Sequence, residues 1–284
     1  MNTEQEESWD LVIQPEGSLF DLKLDQVWKY RDLLMLLVRR DFVARFKQTV
    51  MGPLWFFVQP ILTSLIYVVT FSAVARLPTD GVPPILFYLS GTILWTYFSE
   101  CLMGTSNTFT ANQGLFGKVY FPRLVVPLSI IISNLYKFGI QLLLLFMLLF
   151  YYSVTSSINI HFEYLYLFPF LIIIMALLGL GFGLVISAMT TKYRDLHFLL
   201  GFGIQLAMYA TPIVYPLSLV PDRLKWFVSV NPCVGIIEGF KFIFTGAGGI
   251  HWDLLLYSLI FTIVVNLIGV VVFKRTEKSF IDTV

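Results

Sequence analysis

Long apolar stretches separated by short polar ones set the pattern of this chain. They lie at about 54–75, 85–107, 124–152, 165–189, 197–216 and 253–273. Each reaches the roughly 20 residues that an α-helix needs to cross a bilayer core. The pattern predicts an all-α integral membrane protein with six transmembrane helices. Between the last two stretches the apolar pieces LKWFVSV and VGIIEGFKFIF, split by Asn231-Pro232, are too short to cross singly. They predict a re-entrant outer hairpin over 222–246. Backbone that bends at membrane depth must be covered by protein or line a water path, so such a hairpin can gate a conduit from outside.

Ahead of the first span, residues 26–52 read as an amphipathic interface helix. Val38, Phe42, Val43, Phe46 and Val50 fall on one side at helical spacing, with Arg39, Arg40, Arg45 and Lys47 mostly away from it. Such a helix lies along a membrane surface with its cations near anionic headgroups. Trp28 and Tyr30 suit the headgroup layer, and Gly52-Pro53 ends the element. The chain divides into an N-terminal tail (1–25), the interface region (26–52), a transmembrane domain (53–275) and a C-terminal tail (276–284).

Composition agrees with the membrane class. The chain has 284 residues, 57% hydrophobic and 13% charged, with a mean hydropathy of +0.78. A soluble domain would carry about a quarter charged residues. Of the 19 Lys and Arg, all but Arg76, Arg223, Lys225, Lys241 and Lys137 fall on one side of the six-span topology if the N-terminus is inside. The positive-inside rule then puts both termini in the cytoplasm. The opening MNTEQEESWD is too acidic for a signal peptide. Cys101 and Cys233 read as free thiols.

Catalytic chemistry is poorly supported. His161, His197 and His251 have no His or carboxylate partner at ligand spacing, so no metal site and no catalytic residue is assigned. The fragment at 114–119 lacks the spacing and the Ser/Thr of a phosphate-binding loop. Any ATP use belongs to a partner.

Glu100 and Lys137 are the ionisable residues inside spans. Counted along their helices at about 1.5 Å per residue they differ in depth by roughly 14 Å, which argues against a direct salt bridge. Glu100 reads as a hydrated group near the inner face or a member of a path. Lys137 reads as a snorkelling or interface lysine.

Three spans carry polar and aromatic side chains in rows. Phe56, Gln59, Thr63, Tyr67, Thr70 and Phe71 share about 120° of the first. Tyr88, Gly91, Trp95 and Ser99 mark the second, and Phe198, Phe202, Gln205, Tyr209 and Pro212 the fifth. A pore for a sugar polymer needs aromatic faces for apolar ring faces and polar groups for hydroxyls. Tight helix packing is the competing explanation for any one of these residues. The polar loop 108–123 holds Asn112, Gln113, Gly114, Leu115, Phe116, Gly117 and Lys118, readable as an ordinary loop or a short helix on the inner face.

The chain resembles the membrane subunit of type-2 ABC exporters, in the branch that moves lipid-linked polysaccharides such as O-antigen or teichoic acid. The matching pieces are YRDLLMLLVRRDFVARFKQTVMGPLWFFVQP at 30–60, LPTDGVP at 77–83, FGKVYFPRLVVPL at 116–128, KYRD at 192–195, TPIVYPLSLVP at 211–221 and NPCVGIIEGFKF at 231–242.

The resemblance implies a homodimer working with two copies of a separate ATPase, in the bacterial inner membrane. ATP and Mg would sit on the ATPase and no cofactor on this chain. The substrate would be a lipid-linked polysaccharide, with membrane lipid as a further partner and no nucleic acid. It makes loop 108–118 the coupling helix, with residues 112–118 meeting the ATPase, and the first, second and fifth spans the channel lining. Tyr215, Pro216, Asn231 and Pro232 would belong to the outer gate. Arg39, Arg40 and Arg45 would meet the lipid pyrophosphate or anionic phospholipid. The competing classes are an exporter of another amphiphile, a membrane enzyme acting on lipid-linked sugar and a secondary transporter. The enzyme would need clustered acids and the transporter internal repeats; neither is evident.

Overall fold

The computed structural model describes residues 24–47, 49–119, 121–155, 160–193 and 195–281. Almost all of the expected tail at 1–25 therefore lies outside the described residues, as do the Arg45 side chain and Arg194. The described elements are helical. Two helices come first, α1 (Leu24–Lys29) and α2 (Arg31–Phe46). Gly52, at φ +50°, takes the left-handed turn that a side chain would resist. Pro53 then starts a short 3-10 turn with its fixed φ, and the expected break is where the sequence puts it.

The first span follows as α3 (Trp55–Tyr67), which widens into a π-helix over Val68–Val74. The remaining elements are α4 (Pro84–Ser106), the short α5 (Thr108–Ala111) and α6 (Gln113–Phe116), α7 (Val125–Thr155), α8 (Leu167–Thr190) and α9 (Leu196–Tyr209). After them come α10 (Asp222–Ser229), α11 (Cys233–Thr245) and α12 (Trp252–Ile281).

Among the described residues, five helices are long and apolar enough to cross a bilayer: Gly52–Val74, Pro84–Ser106, Val125–Thr155, Leu167–Thr190 and Trp252–Glu277. The stretch expected as the fifth span differs. Helix α9 has 14 residues, about 21 Å at 1.5 Å per residue, against a core about 30 Å thick. Beyond Tyr209 the chain unwinds through turns, with Ile213 N–H donating to the Thr211 carbonyl at 2.7 Å. Two prolines, Pro212 and Pro216, cannot continue a helix here.

Helices α10 and α11 are bent by 102° across the break at 230–232, the geometry of a broken span or of a re-entrant pair. The Asn231 Oδ1 accepts from the Cys233 N–H at 3.0 Å and caps α11. Gly246, at φ +75°, closes its other end.

Helix α4 is the axis of the fold, packed by α8, α7, α11 and α3, and α8 is clamped in turn by α12. Glycines allow the close approach. A Cβ on Gly183 would fall 2.4 Å from Thr105 Cβ, and one on Gly179 would fall 2.9 Å from Cys101 Cβ. On the far side of α8, a Cβ on Gly269 of α12 would meet the Gly181 carbonyl at 2.7 Å. Small residues at such spacing drive helix association where lipid removes the hydrophobic incentive. Polar side chains bond across the same seams: Thr190 Oγ1 donates to the Ser106 carbonyl at 2.9 Å, and Asn266 Nδ2 to the Leu177 carbonyl at 2.8 Å.

The surface helix also differs in detail. Its buried side is Leu37 and Val38, joined by half-buried Leu33, Leu34 and Phe42. Val43 is 48% exposed, and Val50 lies beyond the helix and is wholly exposed, so these two do not belong to the packed face. The helix leans on α7 through Phe42 and Tyr136, with ring centroids 6.3 Å apart. At the other terminus α12 continues to Ile281, through most of the expected tail.

Candidate translocation path and coupling surface

The polar and aromatic rows separate once packing is known. In α9, Phe202, Gln205 and Tyr209 are all exposed, Phe198 is 81% exposed, and no residue of the helix is buried. In the first span Gln59 and Thr70 are exposed, Thr63, Tyr67 and Phe71 half-buried, and Phe56 buried.

The second span is corrected. Tyr88 and Trp95 are packed inside the protomer and cannot face an open path in this arrangement. Tyr88 instead backs the aromatic patch of the first span. Its ring lies 6.1 Å from Tyr67 and 6.4 Å from Phe71, which are 5.6 Å from each other. The Tyr67 hydroxyl reaches the Met208 Sδ of α9 at 3.5 Å. Trp95 packs against Phe98 in a tilted ring contact at 5.3 Å. The part of α4 left half open is the stripe Thr96, Ser99, Glu100 and Met103. Ser99 turns its hydroxyl onto the Thr96 carbonyl at 3.0 Å.

Glu100 and Lys137 form a direct ion pair, against the expectation from helix arithmetic. Helix α7 has 31 residues, about 46 Å, longer than a bilayer core of about 30 Å, so a count from one assumed boundary does not fix the depth of Lys137. Its first turn, Val125 and Val126, is buried among Phe116, Phe121 and Phe273. The Lys137 Nζ also sits 5.5 Å from the Phe56 ring. Of the candidate anion contacts on α2, Arg39 is exposed and Arg40 is engaged with Asp41 at 2.8 Å.

At the outer end the hairpin carries a charge pair in its interior. Lys241 is 0% and Glu238 2% exposed, with Nζ and Oε1 3.7 Å apart. The Lys241 ammonium donates to the Pro212 carbonyl and lies 3.9 Å over the Phe87 ring. The charge count had placed Lys241 among outside loop residues, whereas it is packed between helices. Of the candidate gate residues, Asn231 ties back to the α9 end, donating to Thr211 Oγ1 at 2.7 Å. The Pro232 carbonyl accepts from Ser258 Oγ of α12 at 2.6 Å. Tyr215, just before Pro216, lines an apolar cavity of about 640 Å³ with Leu77, Leu219, Leu224 and Phe227.

The inner loop is helical, as α5 and α6, and it is bolted down. Phe109 stacks on Phe273 of α12 at 4.6 Å, and Phe116 packs on Phe109 at 6.1 Å and Phe121 at 5.7 Å. Arg123 lies over the Phe116 ring at 5.2 Å and pairs with Glu277 at 3.7 Å. Phe116 is thus an anchor turned inward, while Gln113, Gly114, Gly117 and Lys118 face outward and Asn112 and Leu115 are half-buried. Asn112 Nδ2 donates to the Thr108 carbonyl at 3.0 Å, joining the two short helices.

The bundle thus combines apolar helices of spanning length, the bent pair α10 and α11, and the short helical knob α5–α6. Residues 32–245 match the family described as ABC-2 type transporter. The chain belongs to the ABC-2 type transporter family. Among its relatives are proteins named O-antigen export system permease protein RfbA. Two from Klebsiella pneumoniae are 25% and 26% identical over 251 residues, 88% of this chain and 94% of each relative. One from Myxococcus xanthus is 30% identical over 221 residues, 77% of this chain and 82% of the relative. The ABC-2 chain is a multi-pass membrane protein and a transport subunit.

Sequence reasoning missed three features of this ABC-2 subunit. The glycine seam was visible as Gly179, Gly181 and Gly183 in an apolar run. The Glu238–Lys241 pair was visible as acid and base three apart in an otherwise apolar helix, a pattern that marks function inside membranes. The Arg123–Glu277 tie joins residues 154 apart in the chain, and no local signal announces it.

Proposed function

We propose that the chain is the channel-forming subunit of an ATP-driven exporter that moves a lipid-linked polysaccharide, O-antigen-like or teichoic-acid-like, out across the bacterial cytoplasmic membrane. The observation that carries this reading is the exposed row Phe202, Gln205 and Tyr209 on a helix with no buried residue. A helix facing only lipid would gain nothing from exposing Gln205 there. Aromatic faces alternating with an amide suit a chain of sugars, which slides past such a surface without being held at one point. The O-antigen names of the relatives point to the same class of cargo.

Two copies of the subunit enclose the path, with α9 and the outward side of α3 turned toward it. Two copies of a separate ATPase bind from the cytoplasm, and ATP and Mg are bound there. The exposed residues Gln113, Gly114, Gly117 and Lys118 enter the ATPase, with Asn112 and Leu115 at the edge of the contact. Because Phe116 and Arg123 tie this knob to α12 and to the start of α7, displacement of the knob shifts the bundle rather than one loop. Both termini are cytoplasmic. Arg39 and Arg40 lie where the pyrophosphate of the lipid carrier or an anionic phospholipid meets the inner face, and the outer hairpin with Tyr215, Pro216, Asn231 and Pro232 closes the exit. The region boundaries at 25, 52 and 275 follow from the same topology.

The test is reconstitution of the chain with its ATPase in liposomes loaded with lipid-linked glycan. ATP-dependent appearance of glycan on the opposite leaflet, with glycan-stimulated hydrolysis, is expected. Hydrolysis that ignores the glycan, with no glycan crossing, defeats the export reading.

A further inference from the structure

The buried lysine of the hairpin has no part in the mechanism so far. Removing an ammonium from water costs several kcal/mol even after relaxation, so its seat must supply strong contacts. It supplies a hydrogen bond to the Pro212 carbonyl, the face of Phe87, and the charge of the Glu238 carboxylate at 3.7 Å, beyond hydrogen-bond reach. The space is set by glycines. A Cβ on Gly91 would lie 3.2 Å from Lys241 Cε, and one on Gly248, at φ +78°, would lie 2.4 Å from Glu238 Oε2.

The Pro212 carbonyl needs such a partner because α9 has already unwound, so no following helical N–H reaches it. One residue earlier, Thr211 is held by Asn231 from the same hairpin at 2.7 Å. Two side chains of one element thus grip two adjacent residues at the end of another. Along α9 itself only half-buried residues, Leu200, Ile204, Ala207 and Met208, pack on the core, whereas Thr211 and Pro212 at its unwound end are buried and held by these two side chains.

We propose that Lys241 is a positioning residue that locks the unwound end of α9 to α11, so that α9 and the outer hairpin move as one body when the transporter cycles. The inference rests on the reading that α9 borders the path. It adds that the path wall and the exit closure cannot shift independently. A cargo that pushes the α9 row outward therefore opens the hairpin by the same movement.

The experiment places spin labels at the exposed positions Leu206 and Val230, as Leu206→Cys and Val230→Cys, with Cys101 and Cys233 replaced by alanine. Distances are measured for the complex with its ATPase in lipid nanodiscs, nucleotide-free and ATP-trapped. One narrow distance common to both states is expected. Glu238→Gln leaves the ammonium on Pro212 and keeps the distance narrow. The pair Glu238→Gln/Lys241→Met, which leaves no unmatched buried charge, broadens the distance and lowers export about tenfold, within the range of ordinary inter-site coupling. A distance that changes on ATP trapping with Lys241 intact overturns the proposal, and so does a narrow distance in the pair variant. The distances need no glycan. Failure of the export reading therefore shows as missing transport with the distances unaffected.

Discussion

Helices α8 and α9 are consecutive and both contain Gly-Phe-Gly, at 181–183 and 201–203. Their fates are opposite. In α8, a Cβ on Gly181 would meet Asn266 at 3.0 Å and one on Gly183 would meet Thr105 at 2.4 Å, while Phe182 packs on Phe261 at 5.9 Å. In α9, a Cβ on Gly201 meets nothing nearer than Met103 at 3.9 Å, Gly203 has nothing within 4 Å, and Phe202 is 59% exposed. The same three residues form a seam in one helix and an open face in the other. The difference comes from length and neighbours. Helix α8 spans the bilayer between α4 and α12, whereas α9 stops at Tyr209 and is held at its unwound end.

The comparison breaks most sharply at the glycines. Gly183→Leu forces atoms into the α4 backbone seam, where overpacking costs about 3 kcal/mol. The protein should lose its monodisperse form in detergent. Gly203→Leu meets open space, so its effect on thermal unfolding should stay within about 0.5 kcal/mol. Equal damage from both would mean that α9 is packed as tightly as α8 in the assembled protein.

The tether comes next. Lys241→Met leaves Glu238 buried without its partner, a loss of about 3 kcal/mol in comparable pairs. Lys137→Met leaves Glu100, whose side chain is 29% exposed against 2% for Glu238, so a smaller loss is expected. Chemical denaturation of the two variants side by side gives the ranking. A Lys137 variant that suffers more than the Lys241 variant would reverse the order of the two sites.

These cases show what the sequence made legible. Five spanning helices, the Gly52-Pro53 break and the bend at Asn231-Pro232 were readable, because bilayer thickness and proline chemistry act on local runs. The α9 span was overextended because apolar composition through Ile213 and Val214 hides the unwinding, and only the two prolines betray it. Depth was misjudged for Lys137 because a boundary count assumes that a helix starts at the membrane, whereas α7 starts within the buried cluster of Phe116, Phe121 and Phe273 and is longer than a bilayer core. Tyr88 and Trp95 share a helical row with Ser99, but a row does not say which side a neighbour covers; α4 is enclosed on almost every side. The export family was recognisable from scattered pieces, while the ties that make its parts move together join residues distant in sequence.

A smaller effect is expected at the inner face. Arg123→Gln keeps a hydrogen-bonding group but loses the charge pair with Glu277 and the contact with the Phe116 ring, about 1 kcal/mol in total. Stability should fall little, yet co-purification with the ATPase should weaken, because the knob loses its support. Unchanged ATPase binding and unchanged transport would show that the aromatic stack of Phe109 on Phe273 suffices to hold it.

The smallest effect on stability is expected where the effect on transport is greatest. Phe202→Ala, Gln205→Ala and Tyr209→Ala each trim an exposed side chain of α9, so unfolding temperatures should move by no more than the equivalent of about 0.5 kcal/mol. No such trim opens a cavity, because no residue of α9 is buried. If the row borders the path, each trim removes a surface that the moving sugars touch, and the three together should abolish glycan export while the ATPase still binds and hydrolyses ATP. Tyr67→Ala is the informative contrast. Its ring is packed against Tyr88 and its hydroxyl against Met208, so it should lower stability as well as export. Normal export by the triple α9 variant removes the path from this face. Unfolding of the same variant moves it instead into a packed interface, and α9 then joins α8 on the other side of the comparison.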